Sequence, residues 1–337
     1  MSVICPTYNR SRPILDTIAS VRAQTVSDWE LLVVSDGSTD DTDHWVREAA
    51  RADSRVRLLR TERHGHPSGP RNHGLTQARG GLVAYLDHDD QWHPDHLEVL
   101  LTAFDDGAEL ISTGFELRDA HGTVVASSEP YDLCWHPEIQ TLGVVFEPSR
   151  VAHRRGLAET AGGWQSGGGL EDWDLWLRMT DAGARFTTVP HRTARLLNDP
   201  GTRRHRIPHR HRLPVAAFDD PRKARAVLDH LQHKRNEAAL RQARTQDIRA
   251  WMTRLVNDPD FTRPAGWNGD PVKEAEARLS RAPAPCAGLV LVRERHQYVL
   301  AQPLLVSTAG HARRIQRLSR QTQPNLLALI DAIAGAA

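Results

Sequence analysis

The chain has 337 residues, of which 39% are hydrophobic and 25% are charged, and its formal net charge is +1. This ordinary composition excludes a wholly disordered or fibrous chain, and no run approaches the roughly 20 apolar residues that span a bilayer. The first residues lack a secretory signal and the three scattered cysteines form neither a disulfide framework nor a zinc cluster, so we expect a soluble, cytoplasmic protein.

The near-zero net charge is the sum of two halves with opposite signs. There are 17 basic and 29 acidic residues up to Pro190, but 26 basic and 13 acidic residues from His191 onward. An acidic half and a basic half suit different partners. We therefore expect the two halves to have different roles.

Strand and helix signals alternate in the first part of the chain. Helically spaced apolar residues after Pro13, at Ile14, Ile18 and Val21, predict a first helix. Apolar runs predict strands at residues 2–5, 30–35, 56–59 and 82–86. Because these runs are apolar on both faces and lie a helix length apart, they predict an α/β fold with a doubly wound, mostly parallel, Rossmann-like sheet.

Polar clusters follow three of these strands, at residues 6–9, 36–38 and 87–90. In parallel sheets of this kind, ligands bind outside the carboxyl ends of the strands. We therefore expect the three clusters to face one crevice.

The later part of the chain carries mixed signals. These predict a hairpin from strands 110–115 and 123–126, a helix at 171–182, a strand at 185–189, a loop or linker at 191–213, a long helix at 221–256, a strand at 288–292 and a final helix at 326–333. The chain is thereby divided into a domain at residues 1–213 and a mainly helical C-terminal extension at residues 214–337.

Asp87, His88, Asp89 and Asp90 form the most informative cluster. Mg²⁺ and Mn²⁺ prefer oxygen ligands, and typically take one or two carboxylates from the protein and the rest from phosphates and water. The alternative is a cap on the helix that follows, which would need only one acid. Three acids repel one another and a bound cation would relieve this repulsion, so the cluster could hold a cation together with a ribose hydroxyl, or supply the helix cap.

Two further residues could contact a nucleotide. Asp36 follows the second strand, where its carboxylate could accept from a pyrimidine N–H or a ribose, although aspartate before glycine is also common in turns. Arg71 lies in a stretch rich in glycine and proline, which predicts a loop. It could contact the nucleotide or its phosphates, and it could equally be a surface arginine.

Glu171 and Asp172 begin a predicted helix after a glycine-rich run. Acidic residues stabilise a first helical turn through the helix dipole, which is the simpler explanation. The functional alternative is a general base on a mobile loop. Trp164 and Trp173 would then be apolar platforms for a sugar, although tryptophan is more often found in the core.

Together these clusters give residues 1–200 a resemblance to family 2 glycosyltransferases with the GT-A fold. The matching stretches are VICPTYNR at 3–10, LLVVSDGSTDDT at 31–42, RNHGL at 71–75, YLDHDD at 85–90 and EDWDLWLR at 171–178. Any one stretch is weakly specific, but five in this order are strongly specific. The resemblance implies an inverting, metal-dependent transfer of a sugar from a nucleotide-diphosphate donor, usually uridine-based.

The resemblance also implies roles for individual residues. The donor would be bound by Pro6, Thr7, Tyr8, Asn9, Asp36, Arg71, Asp87 and His88. Asp89 would bind Mg²⁺ or Mn²⁺, and Asp172, beside Glu171, would be the general base. We expect acceptor contacts at Gly163, Trp164 and Trp173.

One departure from the family pattern affects the metal site. Family members often place a histidine after the last core strand, but the corresponding stretch here holds Asn198 or Asp199, with His205 a few residues later. His205, His209 and His211 could equally be solvated loop residues. The third protein ligand therefore stays unassigned. The absence of a Gln-x-x-Arg-Trp motif and of transmembrane helices argues against a processive membrane synthase.

We expect an enzyme that adds one sugar to a natural product, nucleoside or peptide, with a lipid-linked oligosaccharide as the second choice of acceptor. The C-terminal extension would shape acceptor choice or self-association into a homo-oligomer. One alternative is a sugar nucleotidyltransferase, although its glycine-rich phosphate loop is not present near the N-terminus. The other is a binding protein whose basic half contacts nucleic acid or an anionic membrane, although no nucleic-acid motif is present.

Overall fold

The computed structural model of the chain describes residues 1–141, 146–166, 170–198, 211–281, 289–304, 318 and 322–336. The chain divides into two compact units. The first comprises Met1–Pro137, Val144–Ile207 and Thr262–Trp267, and the second comprises Glu138–Gly143, Pro208–Phe261 and Asn268–Ala337.

The described part of the chain contains twelve strands. They are β1 (Ser2–Thr7), β2 (Glu30–Asp36), β3 (Val56–Thr61), β4 (Leu82–Tyr85), β5 (Gln91–Trp92), β6 (Leu110–Arg118), β7 (Val124–Ser127), β8 (Val151–Arg154), β9 (Phe186–Leu197), β10 (His211–Phe218), β11 (Val290–Glu294) and β12 (Gln297–Leu304).

Eleven α-helices lie within the same residues. They are α1 (Ile14–Arg22), α2 (Thr42–Ala52), α3 (Ser68–Gln77), α4 (His96–Asp105), α5 (Pro137–Thr141), α6 (Leu157–Thr160), α7 (Glu171–Asp181), α8 (Pro221–Gln232), α9 (Glu237–Leu255), α10 (Pro271–Arg281) and α11 (Pro324–Ala336). None of them is both long enough and apolar enough to cross a membrane.

The nine strands of the first unit form one sheet with the order β3-β2-β1-β4-β8-β6-β9-β5, and β7 pairs with β6. The pairs from β3 to β4 are parallel, as is the pair of β6 and β9. β8 is antiparallel to both β4 and β6. The predicted mostly parallel, doubly wound α/β sheet is thereby confirmed.

The apolar pattern of the first elements explains how they pack. Every residue of β1 is buried, and the predicted inner face of α1, formed by Ile14, Ile18 and Val21, is buried as well. Since β1, β2 and β4 are parallel neighbours, their carboxyl ends lie along one edge of the sheet. The polar residues that follow these strands are therefore brought together.

The predicted loop at residues 191–213 is wrong at both of its ends. β9 continues to Leu197 in parallel register with β6, and β10 begins at His211. Exposed His191 and Arg192 mask the strand signal, because the apolar alternation that marks a strand is interrupted by these polar residues. Residues 199–210 lie outside the described residues.

The second unit combines helices with a three-stranded antiparallel sheet in the order β10-β12-β11. The predicted long helix at 221–256 is two helices, because the chain is extended at His233 between α8 and α9. The helical C-terminal part is confirmed, although β10, β12 and α10 were not predicted. Leu213 lies within β10, and the division into residues 1–213 and 214–337 stays a prediction.

Helix α4 buries a neutral histidine in the first unit. His96 stacks on Trp92, with ring centroids 4.2 Å apart, and its Nδ1 lies 2.7 Å from Oγ1 of Thr193. Burial lowers the pKa of His96 from 6.5 to about 3. Below about pH 6.5 the unfolded chain gains a proton that the folded chain excludes, so stability present above that pH is lost as the pH falls toward 3.

Between about pH 6 and about pH 4, we expect His96 to reduce the free energy of unfolding by up to about 1.4 kcal/mol per pH unit. His96→Phe keeps a ring beside Trp92 but does not titrate, so its stability profile should be flatter. Urea unfolding across this pH range measures both slopes. His44→Gln, at an exposed position of α2, is the control, and equal slopes for wild type and His96→Phe would contradict this prediction.

Candidate active site

A cleft of about 640 Å³ opens in the first unit at the carboxyl ends of β1, β2 and β4. The predicted site residues that line it are Pro6, Thr7, Tyr8, Asp36, Arg71, Asp87, His88, Asp89, Glu171 and Asp172. The three polar clusters that follow the strands therefore do face one crevice. Asn9, Gly163, Trp164 and Trp173 are not among its lining residues.

Asn9 holds two loops together at the rim of the sheet. It has a positive φ of 46°, and its Oδ1 accepts from the backbone N–H of Thr39 at 2.9 Å. Nearby, Oγ1 of Thr42 accepts from the backbone N–H groups of Arg10 and Ser11, each at 2.7 Å. These contacts fix the loop after β1 against the turn after β2, which places Tyr8 and Asp36 in the same cleft.

Asp36 is a buried acceptor at the end of β2. Its carboxylate accepts from the backbone N–H of His64 at 2.7 Å and of Gly65 at 3.0 Å, and it pairs with Arg63. The guanidinium of Arg63 also lies over the ring of Tyr8, with its Cζ 3.5 Å from the ring centroid. Arg63 lines the cleft but was not predicted, because no motif in the sequence marks it.

The three acids after β4 have separate environments. Asp87 pairs with Arg71 at 2.6 Å, and Asp89 lies 4.0 Å from Arg10. Asp90 accepts from Oγ of Ser149 at 2.5 Å and from the backbone N–H of Leu197 at 2.9 Å. Asp90 thus ties β9 to the end of β4. The alternative of a helix cap is wrong, since the N-cap residue of α4 is Asp95.

Excess negative charge accumulates at this cluster. Burial raises the pKa of Asp89, and the charge of Asp87 raises it further against the opposing effects of His88 and Arg10. Burial raises the pKa of Asp90 well above its ordinary value, with added repulsion from Asp89 and Asp87. Burial lowers the pKa of His88, which favours its neutral form. A bound cation would relieve this repulsion.

The carboxylates of the cleft could hold a divalent metal only together with other ligands. No group of three or more His, Cys, Asp or Glu side chains in the described ranges is placed to hold one. Asp87 and Asp89 both line the cleft, however, and one or two carboxylates suffice when phosphates and water complete the coordination. The residues therefore fit Mg²⁺ or Mn²⁺ bound together with a diphosphate. Asn198 also lines the cleft, whereas Asp199, His205 and His209 lie outside the described residues.

Arg71 is a buried cation in the wall of the cleft, and it lies in helix α3 rather than on the predicted loop. It is 3% exposed, which rules out a surface arginine. Burial would lower its pKa, but the neighbouring charges of Asp87, Asp172 and Glu171 raise it. Arg71 therefore stays charged between the acids that follow β4 and the acids that begin α7.

The first turn of α7 brings a second pair of acids to the cleft. Glu171 is buried and Asp172 is half-buried, and both line the cavity. Oδ1 of Asp172 accepts from the backbone N–H of Trp173 at 2.8 Å. Stabilisation of the helix dipole and a catalytic role are compatible, because both require only a carboxylate in the first turn of α7.

Trp164 and Trp173 are not exposed platforms. Trp164 is 3% exposed and Trp173 is 0% exposed, as expected if both side chains belong to the core. The Trp164 ring packs edge-on against Tyr85 and Trp176, with centroids 4.9 Å and 5.4 Å away. Gly163 adopts a positive φ of 69° in the same segment. Acceptor contacts from these residues stay a prediction, and an exposed aromatic face is excluded for both rings.

Comparison with known proteins finds similar sequences and a similar fold. Residues 2–154 match the sequence model of the family described as glycosyl transferase family 2. The chain is 36% identical over 124 residues to the putative teichuronic acid biosynthesis glycosyltransferase TuaG of Bacillus subtilis (strain 168), which covers 36% of this chain and 49% of TuaG. It is 41% identical over 102 residues to the UDP-Glc:alpha-D-GlcNAc-diphosphoundecaprenol beta-1,3-glucosyltransferase WfgD of Escherichia coli, which covers 30% of this chain and 40% of WfgD.

These matches span about half or less of the length of the two relatives. The crystal structure of S. aureus TarS 1-349 in complex with UDP-GlcNAc is similar in fold, with a TM-score of 0.52 and 18% sequence identity. This similarity covers 83% of the present chain and 71% of that chain. The resemblance predicted from the motifs, and the fold that it implied, are both confirmed.

Proposed function

Because residues 2–154 match the sequence model of glycosyl transferase family 2, we propose that the protein transfers a sugar from a nucleotide-diphosphate donor, with inversion at the anomeric carbon. The observation that carries this proposal is one cleft that gathers carboxylates from three places: the ends of β2 and β4 and the first turn of α7. A uridine-based donor is the form we propose first.

The donor would lie along the strand ends. Tyr8 and Asp36 would contact the base, since Asp36 is a buried carboxylate that can accept from a ring N–H. Pro6 and Thr7 would line the same pocket, with Thr7 Oγ1 lying 3.1 Å from Nδ1 of His88. Asp87 would contact the ribose, and its partner Arg71 would approach the nucleotide.

Asp89, with Asp87 beside it, would hold Mg²⁺ or Mn²⁺ at the diphosphate. When bound, such a cation neutralises charge on the departing diphosphate. Asp89 suits this role because its carboxylate lines the cleft and because nearby Asp87 repels its charge.

Asp172 would act as the general base. It would take the proton from the acceptor nucleophile as that atom bonds to the anomeric carbon and the bond to the diphosphate oxygen breaks. The direct displacement inverts the anomeric carbon and needs no covalent intermediate, so one base is sufficient. Asp172 is half-buried and lines the cleft, where the acceptor would bind.

For the acceptor we propose a saccharide carried on a lipid diphosphate, with a natural product, nucleoside or peptide as the alternative. The support comes from the printed name of WfgD, which gives GlcNAc-diphosphoundecaprenol as its acceptor. Transfer to a water-soluble GlcNAc-diphospho-lipid analogue, compared with transfer to free nucleosides and peptides, separates the two classes.

The test of the proposed function is a thermal shift with UDP, GDP, CDP and ADP, each measured with Mn²⁺ and with EDTA. We expect one or two nucleotides, UDP first, to raise the Tm in a metal-dependent way. If no nucleotide stabilises the protein under either condition, the proposal is wrong. Release of pyrophosphate from a nucleoside triphosphate would instead support the sugar nucleotidyltransferase.

A further inference from the structure

Arg71 is held in the cleft wall by a segment that no sequence motif connects to it. Its guanidinium pairs with Asp87 on one side, at 2.6 Å, and on another its Cζ lies 4.2 Å from the centroid of the Trp164 ring. Its Nε has no hydrogen-bond partner among the described residues. This nitrogen is itself buried, so the contacts that hold the guanidinium are the ion pair with Asp87 and the face of the Trp164 ring.

The backbone of Trp164 is fixed to the helix that carries Arg71. Asn72, the next residue of α3, donates from Nδ2 to the carbonyl of Trp164 and accepts at Oδ1 from its N–H, both at 2.8 Å. One turn earlier, Oγ of Ser68 donates to the carbonyl of Gln165 at 3.0 Å. Three hydrogen bonds therefore hold residues 164–165 against α3.

The residue before Trp164 shows how close this contact is. A Cβ at Gly163 would lie 2.9 Å from Oδ1 of Asn72, which is closer than ordinary packing permits. Arg178 of α7 donates to the carbonyl of Gly163 at 2.8 Å. The same segment is thus held by α3, which carries Arg71, and by α7, which begins with Glu171 and Asp172.

From these contacts we infer that Trp164 is a positioning residue for Arg71, rather than an acceptor platform. The aromatic face fixes the guanidinium through a cation–π contact, and Asn72 fixes the aromatic residue. Arg71 is then held charged between Asp87 and the acids of α7, in the wall of the cleft where the donor nucleotide would bind. This inference rests on the proposed function, because it assigns the ligand of Arg71 to that nucleotide.

The test is a double-mutant cycle on nucleotide affinity. The probe is UDP with Mn²⁺, or whichever of the four nucleotides stabilises the wild type, and the Kd is measured by calorimetry. We expect Trp164→Leu to weaken binding about 3- to 30-fold, whereas Trp164→Phe, which keeps an aromatic face, should stay within about 3-fold of the wild type. In the Arg71→Met background, Trp164→Leu should change the Kd less than about 2-fold.

An equal loss of affinity in both backgrounds would show a general structural effect and would overturn the inference. An unchanged Kd for Trp164→Leu would overturn it as well. If Trp164→Leu does not fold, Asn72→Ala replaces it in the same cycle, and the same background dependence is expected. A wild type that binds none of the four nucleotides would contradict the proposed function and this inference together. A wild type that binds, with affinity independent of Trp164 and Asn72, would contradict the inference alone.

Discussion

Asp172→Asn is expected to lower kcat about 10²- to 10⁴-fold, which is the contribution typical of a general base. The amide keeps the size of the side chain at the start of α7 but cannot take the acceptor proton. Because the donor is proposed to bind at the strand ends, its Kd should change by less than about 3-fold. Single-turnover transfer and calorimetry with the donor separate these two quantities.

Asp181→Asn provides the matched control for this prediction. It removes the same charge from the exposed last turn of the same helix, and its kcat should equal that of the wild type. Full transfer by Asp172→Asn with every accepted donor would remove Asp172 from the mechanism. A large rise in donor Kd with unchanged kcat would instead assign Asp172 to donor binding.

The first unit was largely predictable because its strands carry continuous apolar runs. The runs that predict β1 and β2 are buried on both faces, and such runs indicate a parallel sheet with little ambiguity. The full length of β9, the last strand of the first unit, was harder to predict. Most of β9 lies in a segment rich in Arg and His, and it is fixed by pairing with β6, a contact between residues distant in sequence.

The second unit was predicted less completely for a similar reason. The helical periodicity continues through residues 221–256, so the break at His233 has no signal in the apolar pattern. β12 pairs with both β10 and β11, and the sequence cannot indicate a pairing of this kind.

In the cleft, the residues that belong to motifs were found and their neighbours were not. Asp36 was identified by its position after a strand, and Arg71 was identified by its place in a motif. Arg63, which pairs with Asp36, belongs to no motif. The burial of Trp164 also depends on distant residues, since Asn72 and Tyr85 come from separate elements. Motifs indicate which side chains are chemically active, whereas tertiary packing decides which side chains position them.

The second prediction with a large expected effect concerns Asp89. Its carboxylate lies in the cleft, 4.0 Å from Arg10 and close enough to Asp87 for the two charges to interact. If Asp89 holds the divalent cation, then Asp89→Asn keeps the shape of the side chain but weakens that ligand. We expect kcat/KM to fall at least about 100-fold, because a cation at a leaving diphosphate contributes several kcal/mol.

The thermal shift gives a readout of this prediction that does not depend on turnover. In the wild type, Mn²⁺ should increase the stabilisation by UDP, whereas in Asp89→Asn the shifts with Mn²⁺ and with EDTA should be equal. Asp105→Asn, an exposed acid at the end of α4, should behave as the wild type. A metal-dependent shift retained in Asp89→Asn would exclude Asp89 as the principal ligand. Asp87 would then be the next acid to consider, because Asp90 is more deeply buried and bonds to Ser149 and to the backbone N–H of Leu197.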